Sequence, residues 1–164
     1  IFHGKIDDVV SPNQAIETHN FLINQKIESQ IIMDDNCGHS ISPLAIEAIN
    51  NKDIPNYHLN YVSDAIDIIE ELKHPSLKLQ LDLYHAQIMS GNLTRIIETS
   101  INHTKHMQIA SPPYRYEPDK GEINFQFIFS IIEKLKYDGY IGCEYNPSTN
   151  TKDSLHWAQN YNIK

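Results

Sequence analysis

The chain has 164 residues, with 21 Asp and Glu against 13 Lys and Arg, giving a formal net charge of −8. That balance opposes a nucleic-acid-binding surface, which needs clustered Lys and Arg, and suits a site holding several carboxylates. With no basic leader, no long apolar run and only two cysteines, the expectation is a cytoplasmic protein without secretory signal, membrane span or disulfide framework.

Ile1-Phe2-His3-Gly4 reads as the tail of a strand. Pro12 then opens a long helical stretch to about Asp35, with apolar Ile16, Leu22, Ile23 and Ile27, and Gly38 as a stop signal. Leu44 to Ile49 is a second strand, with Glu47 on the face opposite Leu44 and Ile46. A polar loop follows, then a helix from about Ser63 to Leu72 with Ala65, Ile66, Ile69 and Leu72 at helical spacing.

The clearest pattern is LKLQLDLYHAQIMSGNLTR (77–95). Leu77, Leu79, Leu81 and Leu83 share one face of a strand, with Lys78, Gln80, Asp82 and Tyr84 on the other. A leucine face against outer helices, with Asp82 and His85 emerging at the C-terminal rim, suits the wall of a parallel barrel. The next helix begins near Asn92. His106 to Ala110 is a fourth strand, placing Met107 and Ile109 opposite His106 and Gln108. The loop SPPYRYEPDKGE is expected to be too polar for the core. A helix burying Ile128, Ile131, Ile132 and Leu135 leads to a last strand, Tyr140 to Tyr145, with Cys143 a small buried hydrophobe and Glu144 inward. A short helix with Leu155 and Trp157 ends the chain.

Strand and helix alternate, so the fold class is α/β with parallel strands and right-handed crossovers. Five such units are counted. A closed (β/α)8 TIM barrel typically needs about 250 residues, so the expectation is an incomplete barrel. Residues 1–164 form one domain in this reading, lacking the N-terminal strand–helix units. Its end strands, near Ile1 and near Glu144, would be unpaired edges, which leaves self-association into a homo-oligomer open.

Four successive strands each offer one polar residue near the inward C-terminal end: Glu47, Asp82, Gln108 and Glu144. Three carboxylates sharing a cavity repel one another unless protons or a cation compensate. All four side chains are oxygen donors, so the fitting cation is hard, Mg²⁺ or Mn²⁺. A pair of carboxylates on opposite sides of a substrate can take a proton from one carbon and return one to its neighbour.

The segments IEAINNKDIPNYHLN (46–60), 77–95, HMQIASPPYRYEPDKGEINF (106–125) and YDGYIGCEYNP (137–147) resemble the hydroxypyruvate isomerase family, of the xylose-isomerase-like barrel superfamily. The resemblance covers roughly the last two-thirds of the chain. It implies an isomerase interconverting hydroxypyruvate and 2-hydroxy-3-oxopropanoate (tartronate semialdehyde) through an enediolate. The family's two acid/base glutamates fall on Glu47 and Glu144, and its metal positions on Glu47, Asp82, Gln108 and Glu144. Its substrate-contacting residues fall on His85 and Arg115, the partner being a small hydroxy-oxo acid. Two departures stand out: Ser111 where the family pattern has Asp, and Tyr114-Arg115-Tyr116 in place of Gly-Arg-His.

Rival readings differ at identifiable features. A ketose 3-epimerase of the same superfamily would share the carboxylates but usually present His where Gln108 stands. An isomerase of a four-carbon 2-oxo acid would share the site entirely. A metal-dependent abasic-site nuclease needs more ligand histidines and a basic groove. A non-catalytic truncated barrel serving as an interaction module needs none of these residues.

Overall fold

The computed structural model of the chain describes residues 45–161 continuously and, before them, residues 2–4, 13, 16, 17, 20, 23, 24 and 32–34. The chain divides into two compact units, residues 1–45 with 162–164, and residues 46–161.

In the first unit, strands β1 (Phe2–Gly4) and β2 (Ile32–Asp34) pair in parallel. Asn13, Ile16, Glu17, Asn20, Ile23 and Asn24 are helical, as expected. The helix does not reach Asp35, however: Ile32–Asp34 is a strand that the reading of the sequence missed. The run Ile31-Ile32-Met33 is short and opens on two β-branched residues, which favours a strand over an amphipathic helix. β1 accordingly has a partner and is not the unpaired edge that was expected. Leu22, Ile27, Cys37 and Gly38 lie outside the described residues.

The second unit is built on a four-stranded sheet, in the order β3 (Ala45–Glu47), β4 (Lys78–Asp82), β5 (Thr104–Ile109) and β6 (Tyr140–Cys143). β4, β5 and β6 run parallel, and the sheet does not close on itself among the described residues. Helix α1 (Val62–Leu72) buries Val62, Ala65 and Ile69, one stripe at helical spacing. It ends at Lys73, whose N–H bonds the Ile69 carbonyl and whose left-handed φ of 48° turns the following chain out of the helix.

β4 buries Leu79 and Leu81 while Gln80 faces the other way, the alternation its sequence shows. The strand stops earlier than the pattern of leucines suggests. Asp82 is both its last residue and the N-cap of helix α2 (Leu83–Ser90), accepting from the Tyr84 N–H at 2.7 Å. Leu83, Tyr84 and His85 are therefore the first helical turn rather than the end of the strand. Helices α3 (Leu93–Ser100) and α4 (Phe125–Lys134) follow, with α5 (Thr151–Ser154) and a 3₁₀ turn (Leu155–Tyr161) after β6.

One apolar cluster joins the sheet to these helices: Leu79, Leu81, Met107 and Ile109 meet Ala65 and Ile69, Leu93 and Ile97, and Phe125, Ile128 and Ile132. Burying each of the Leu, Ile, Met and Phe side chains contributes about 1.5–3 kcal/mol. The opposite face of the sheet carries the polar residues. Cys143, at the end of β6, is exposed rather than buried. The 111–122 loop departs further from expectation, because Ser111, Pro112, Glu117 and Pro118 are buried. Backbone hydrogen bonds hold this polar segment inside the protein: Ser111 and Tyr116 form an antiparallel bridge, at 2.9 and 3.2 Å. A Cβ on Gly121 would lie 2.2 Å from the Pro112 carbonyl oxygen, so only glycine lets the loop fold back there.

Candidate active site

Strand register places the polar residues together. Asp82 stands beside Gln108, and Gln108 beside Gly142. Gly142 has no side chain to offer, and a Cβ there would come within 2.9 Å of His106 Nε2. Glu144, two residues on, continues the ladder through its N–H to the Ile109 carbonyl at 3.1 Å. Glu47 is the last residue of β3. All four candidates thus sit at the C-terminal ends of their strands, Glu144 one residue beyond β6.

One ligand atom each from Glu47, Asp82, His85 and Glu144 lies within 4.8 Å of the others. Three steps across a flat sheet would separate β3 from β6 by roughly 14 Å. The reach of the two glutamate side chains, together with concave curvature as in a barrel wall, accounts for such convergence. Gln108 joins through Gln80, whose Nε2 donates to Glu47 Oε2 and to Gln108 Oε1, both at 2.6 Å. Gln80 was not singled out in the sequence, although it shares the polar face of β4 with Asp82 and period-two spacing points to it.

The two oxygens of Asp82 have different tasks. Oδ1 caps α2, while Oδ2 is buried without a hydrogen-bond donor among the described residues, and the Glu144 carboxylate close to Asp82 raises its pKa rather than satisfying that oxygen. The nearest nitrogen donors stand beyond bonding distance, with His85 Nε2 at 3.8 Å and Arg115 Nη2 at 3.7 Å. An unpaired buried carboxylate oxygen is costly, and a hard divalent cation is the partner that an oxygen-rich set such as Glu47, Asp82, Gln108 and Glu144 would take. The donor set fits such an ion.

Electrostatics point the same way. Burial, then the charges of Asp82 and Glu144, push the Glu47 carboxyl up to about 8. Burial and Glu144 raise Asp82 as well. His85, 2% exposed in the first turn of α2, is pushed down to about 4 by burial and by the charge of Arg115.

Arg115 reaches the cluster from the 111–122 loop. Its guanidinium donates to the Glu144 carboxylate through Nη2 and to the Glu144 carbonyl through Nε, the latter at 3.1 Å. It also lies over the Tyr84 ring, 5.1 Å from the centroid. The backbone of Arg115 is left-handed, with φ 57°, a conformation uncommon for a non-glycine residue. The Ser111–Tyr116 bridge and the Asn146 N–H, which donates to the Arg115 carbonyl at 2.7 Å, hold it there. Buried Glu117 anchors the same loop, accepting from the Ser148 N–H and hydroxyl at 3.1 Å each. No periodicity in the sequence marks Glu117, because its burial arises from loop folding.

Residues 37–161 match the family model described as xylose isomerase-like TIM barrel. The chain is 45% identical over 121 residues to the 2-oxo-tetronate isomerase of Pectobacterium atrosepticum, covering 74% of this chain and 46% of that protein. It is 42% identical over 118 residues to the hydroxypyruvate isomerase of Escherichia coli K12, covering 72% and 46%. A solved structure described as AP endonuclease, family 2, from Brucella melitensis superposes with a TM-score of 0.69 at 43% identity, covering 71% of this chain and 45% of that one. The chain spans about half the length of the curated relatives it matches.

Proposed function

The chain belongs to the xylose isomerase-like TIM barrel family, and we propose that it carries the acid–base and cation-binding wall of a hydroxypyruvate isomerase. The reaction moves a carbonyl between adjacent carbons, interconverting hydroxypyruvate and 2-hydroxy-3-oxopropanoate. What supports this reading most is the convergence of Glu47, Asp82 and Glu144 from three strand ends, with one Asp82 oxygen left unpartnered.

In this reading Glu47 and Glu144 exchange the protons, acting from the two outer strands of a concave sheet. Burial and the neighbouring acids raise the Glu47 carboxyl in the metal-free protein, and beside a cation it would come back down, so that Glu47 could take a proton as a base and return it as an acid. Glu47, Asp82, Gln108 and Glu144 would hold Mg²⁺ or Mn²⁺, which when bound supplies the positive charge that stabilises an enediolate. Arg115 receives the substrate carboxylate, for which its planar fork is suited. That fork is engaged by Glu144, so an arriving carboxylate competes with Glu144 and releases it for proton transfer. His85 donates to the substrate oxygen undergoing change.

The 45% identity to a 2-oxo-tetronate isomerase favours one neighbouring reading, the same proton shift on a substrate one carbon longer. The endonuclease description of the Brucella structure fits less well, since a chain of net charge −8 lacks the basic surface that a phosphate backbone calls for. The protein should convert hydroxypyruvate to tartronate semialdehyde, lose that turnover in EDTA, and regain it with Mn²⁺ or Mg²⁺. Turnover of 2-oxo-tetronate alone would select the longer substrate. No turnover of either acid with either cation would defeat the isomerase reading in favour of a non-catalytic module.

A further inference from the structure

Behind the acidic cluster lies a polar side chain that the proton transfers and the cation leave unused. Asn50, three residues beyond Glu47, is 0% exposed. Its Oδ1 accepts from the backbone N–H groups of Lys52, at 3.0 Å, and Asp53, at 2.8 Å. Two N–H donors can meet only the oxygen of the amide, so they determine which end is which. The Nδ2 end consequently faces Asp53 Oδ2 at 3.0 Å and His85 Nδ1 at 2.7 Å. The backbone N–H of Asn50 adds a second, longer approach to the same ring nitrogen, at 3.4 Å.

An amide nitrogen donates and does not accept, so His85 Nδ1 must carry the lone pair in this contact. A ring with a bare Nδ1 is uncharged and keeps its single proton on Nε2. Asp53 is held in turn by the Tyr84 hydroxyl, which donates to its Oδ2 at 2.6 Å. Turning the Asn50 amide over would oppose oxygen to Asp53 and NH₂ to two backbone N–H groups. The orientation is therefore locked from both ends.

We propose that Asn50 is a positioning residue that holds His85 as the Nε2-protonated tautomer, making His85 a hydrogen-bond donor into the site and not a metal ligand. Nε2 is the nitrogen that faces the acids, 3.8 Å from Asp82 Oδ2. A histidine that binds a metal shows the reverse arrangement: its lone pair faces the ion, and its remote N–H donates to a carboxylate or carbonyl. Here the remote nitrogen is given donors. Although His85 lies within ligand distance of Glu47, Asp82 and Glu144, the cation is left to oxygen donors. Which substrate oxygen receives the Nε2–H rests on the isomerase reading; the tautomer does not.

The test is a long-range ¹H–¹⁵N correlation spectrum of the metal-free protein labelled with ¹⁵N-histidine. His85 should show a protonated Nε2 and a bare Nδ1 at neutral pH. A protonated Nδ1, or a doubly protonated ring, would overturn the proposal. In Asn50→Ala, which withdraws the amide donor, protonation of Nδ1 should become detectable at neutral pH; a folded variant keeping the original tautomer alone would also overturn it. If that variant does not fold, the wild-type spectrum decides alone. Calorimetric titration of His85→Ala with Mn²⁺ should leave the dissociation constant within about twofold, whereas a tenfold loss would make His85 a ligand after all. Because the tautomer is read without substrate, failure of isomerase activity would count against the proposed reaction and not against this assignment.

Discussion

Arg115 bridges two of the acids: one nitrogen of its guanidinium, Nη2, donates to the Glu144 carboxylate and stands 3.7 Å from Asp82 Oδ2. The positive charge lowers the mutual repulsion of the cluster, and the planar fork makes the contact directional. Arg115→Lys keeps the charge and loses the fork. Charge-assisted hydrogen bonds contribute about 1.5–3 kcal/mol, so the variant's KM for hydroxypyruvate should rise about 10- to 100-fold. Steady-state kinetics with an unchanged KM would remove Arg115 from substrate binding.

The acids also set a pH dependence. Glu47 titrates at about 8 in the folded protein against an ordinary value of 4.5. A carboxyl raised on folding stabilises below its unfolded value, and that contribution fades as pH rises through the folded one. His85 and His106, both lowered to about 4 by burial, act oppositely, losing stability as pH falls from 6.5 towards 4. Between pH 6.5 and 8 the raised carboxyls of Glu47 and Asp82 outweigh the fading histidine effect, so the metal-free protein should melt at lower temperature at pH 8 than at pH 6.5. Glu47→Gln should flatten that slope. Mn²⁺ should raise the melting temperature more at pH 8, where fewer protons must leave. Scanning calorimetry at the two pH values reads all three effects.

Gln80 ties Glu47 to Gln108. Gln80→Leu keeps comparable bulk and removes both donors, leaving two half-buried acceptors unpaired. Urea unfolding should show a loss of about 1–3 kcal/mol, with kcat falling as Glu47 loses its fixed position. Unchanged stability and unchanged kcat would mean the bridge is incidental.

The core predicts a sharper contrast. Leu81, 0% exposed on β4, should cost about 2–5 kcal/mol when changed to Ala. Leu72, 63% exposed at the end of α1, should cost within about 0.5 kcal/mol. Comparable losses at the two sites would contradict the assignment of the leucine face.

What the sequence disclosed followed from periodicity. The alternation through Leu79, Gln80, Leu81 and Asp82 placed the core and the polar face correctly, and His106 to Ala110 did the same for β5. Periodicity failed where one residue serves two elements: Asp82 ends a strand and caps a helix, so Leu83 and His85 left the alternation without breaking it. It failed again where a loop folds inward, because the burial of Glu117 and Ser111 depends on partners at Ser148 and Tyr116 far along the chain or across a turn. Asn50 was invisible for the same reason. Its role depends on His85, 35 residues away, and no local pattern marks it. Strand β2 was lost because three apolar residues inside a helical stretch carry too little signal to be separated from it.

The most direct measurement is isomerisation in D₂O by the wild-type protein and by Glu47→Gln and Glu144→Gln. Each change keeps side-chain size and an oxygen donor while removing one base. General acid–base groups typically contribute about 10²–10⁴-fold, and net turnover in each variant should fall by at least that factor. Each should still exchange deuterium at one of the two reacting carbons, a different carbon in each, because the surviving glutamate retains its half of the transfer. Near-normal turnover in both variants would contradict the two-glutamate site and require another base.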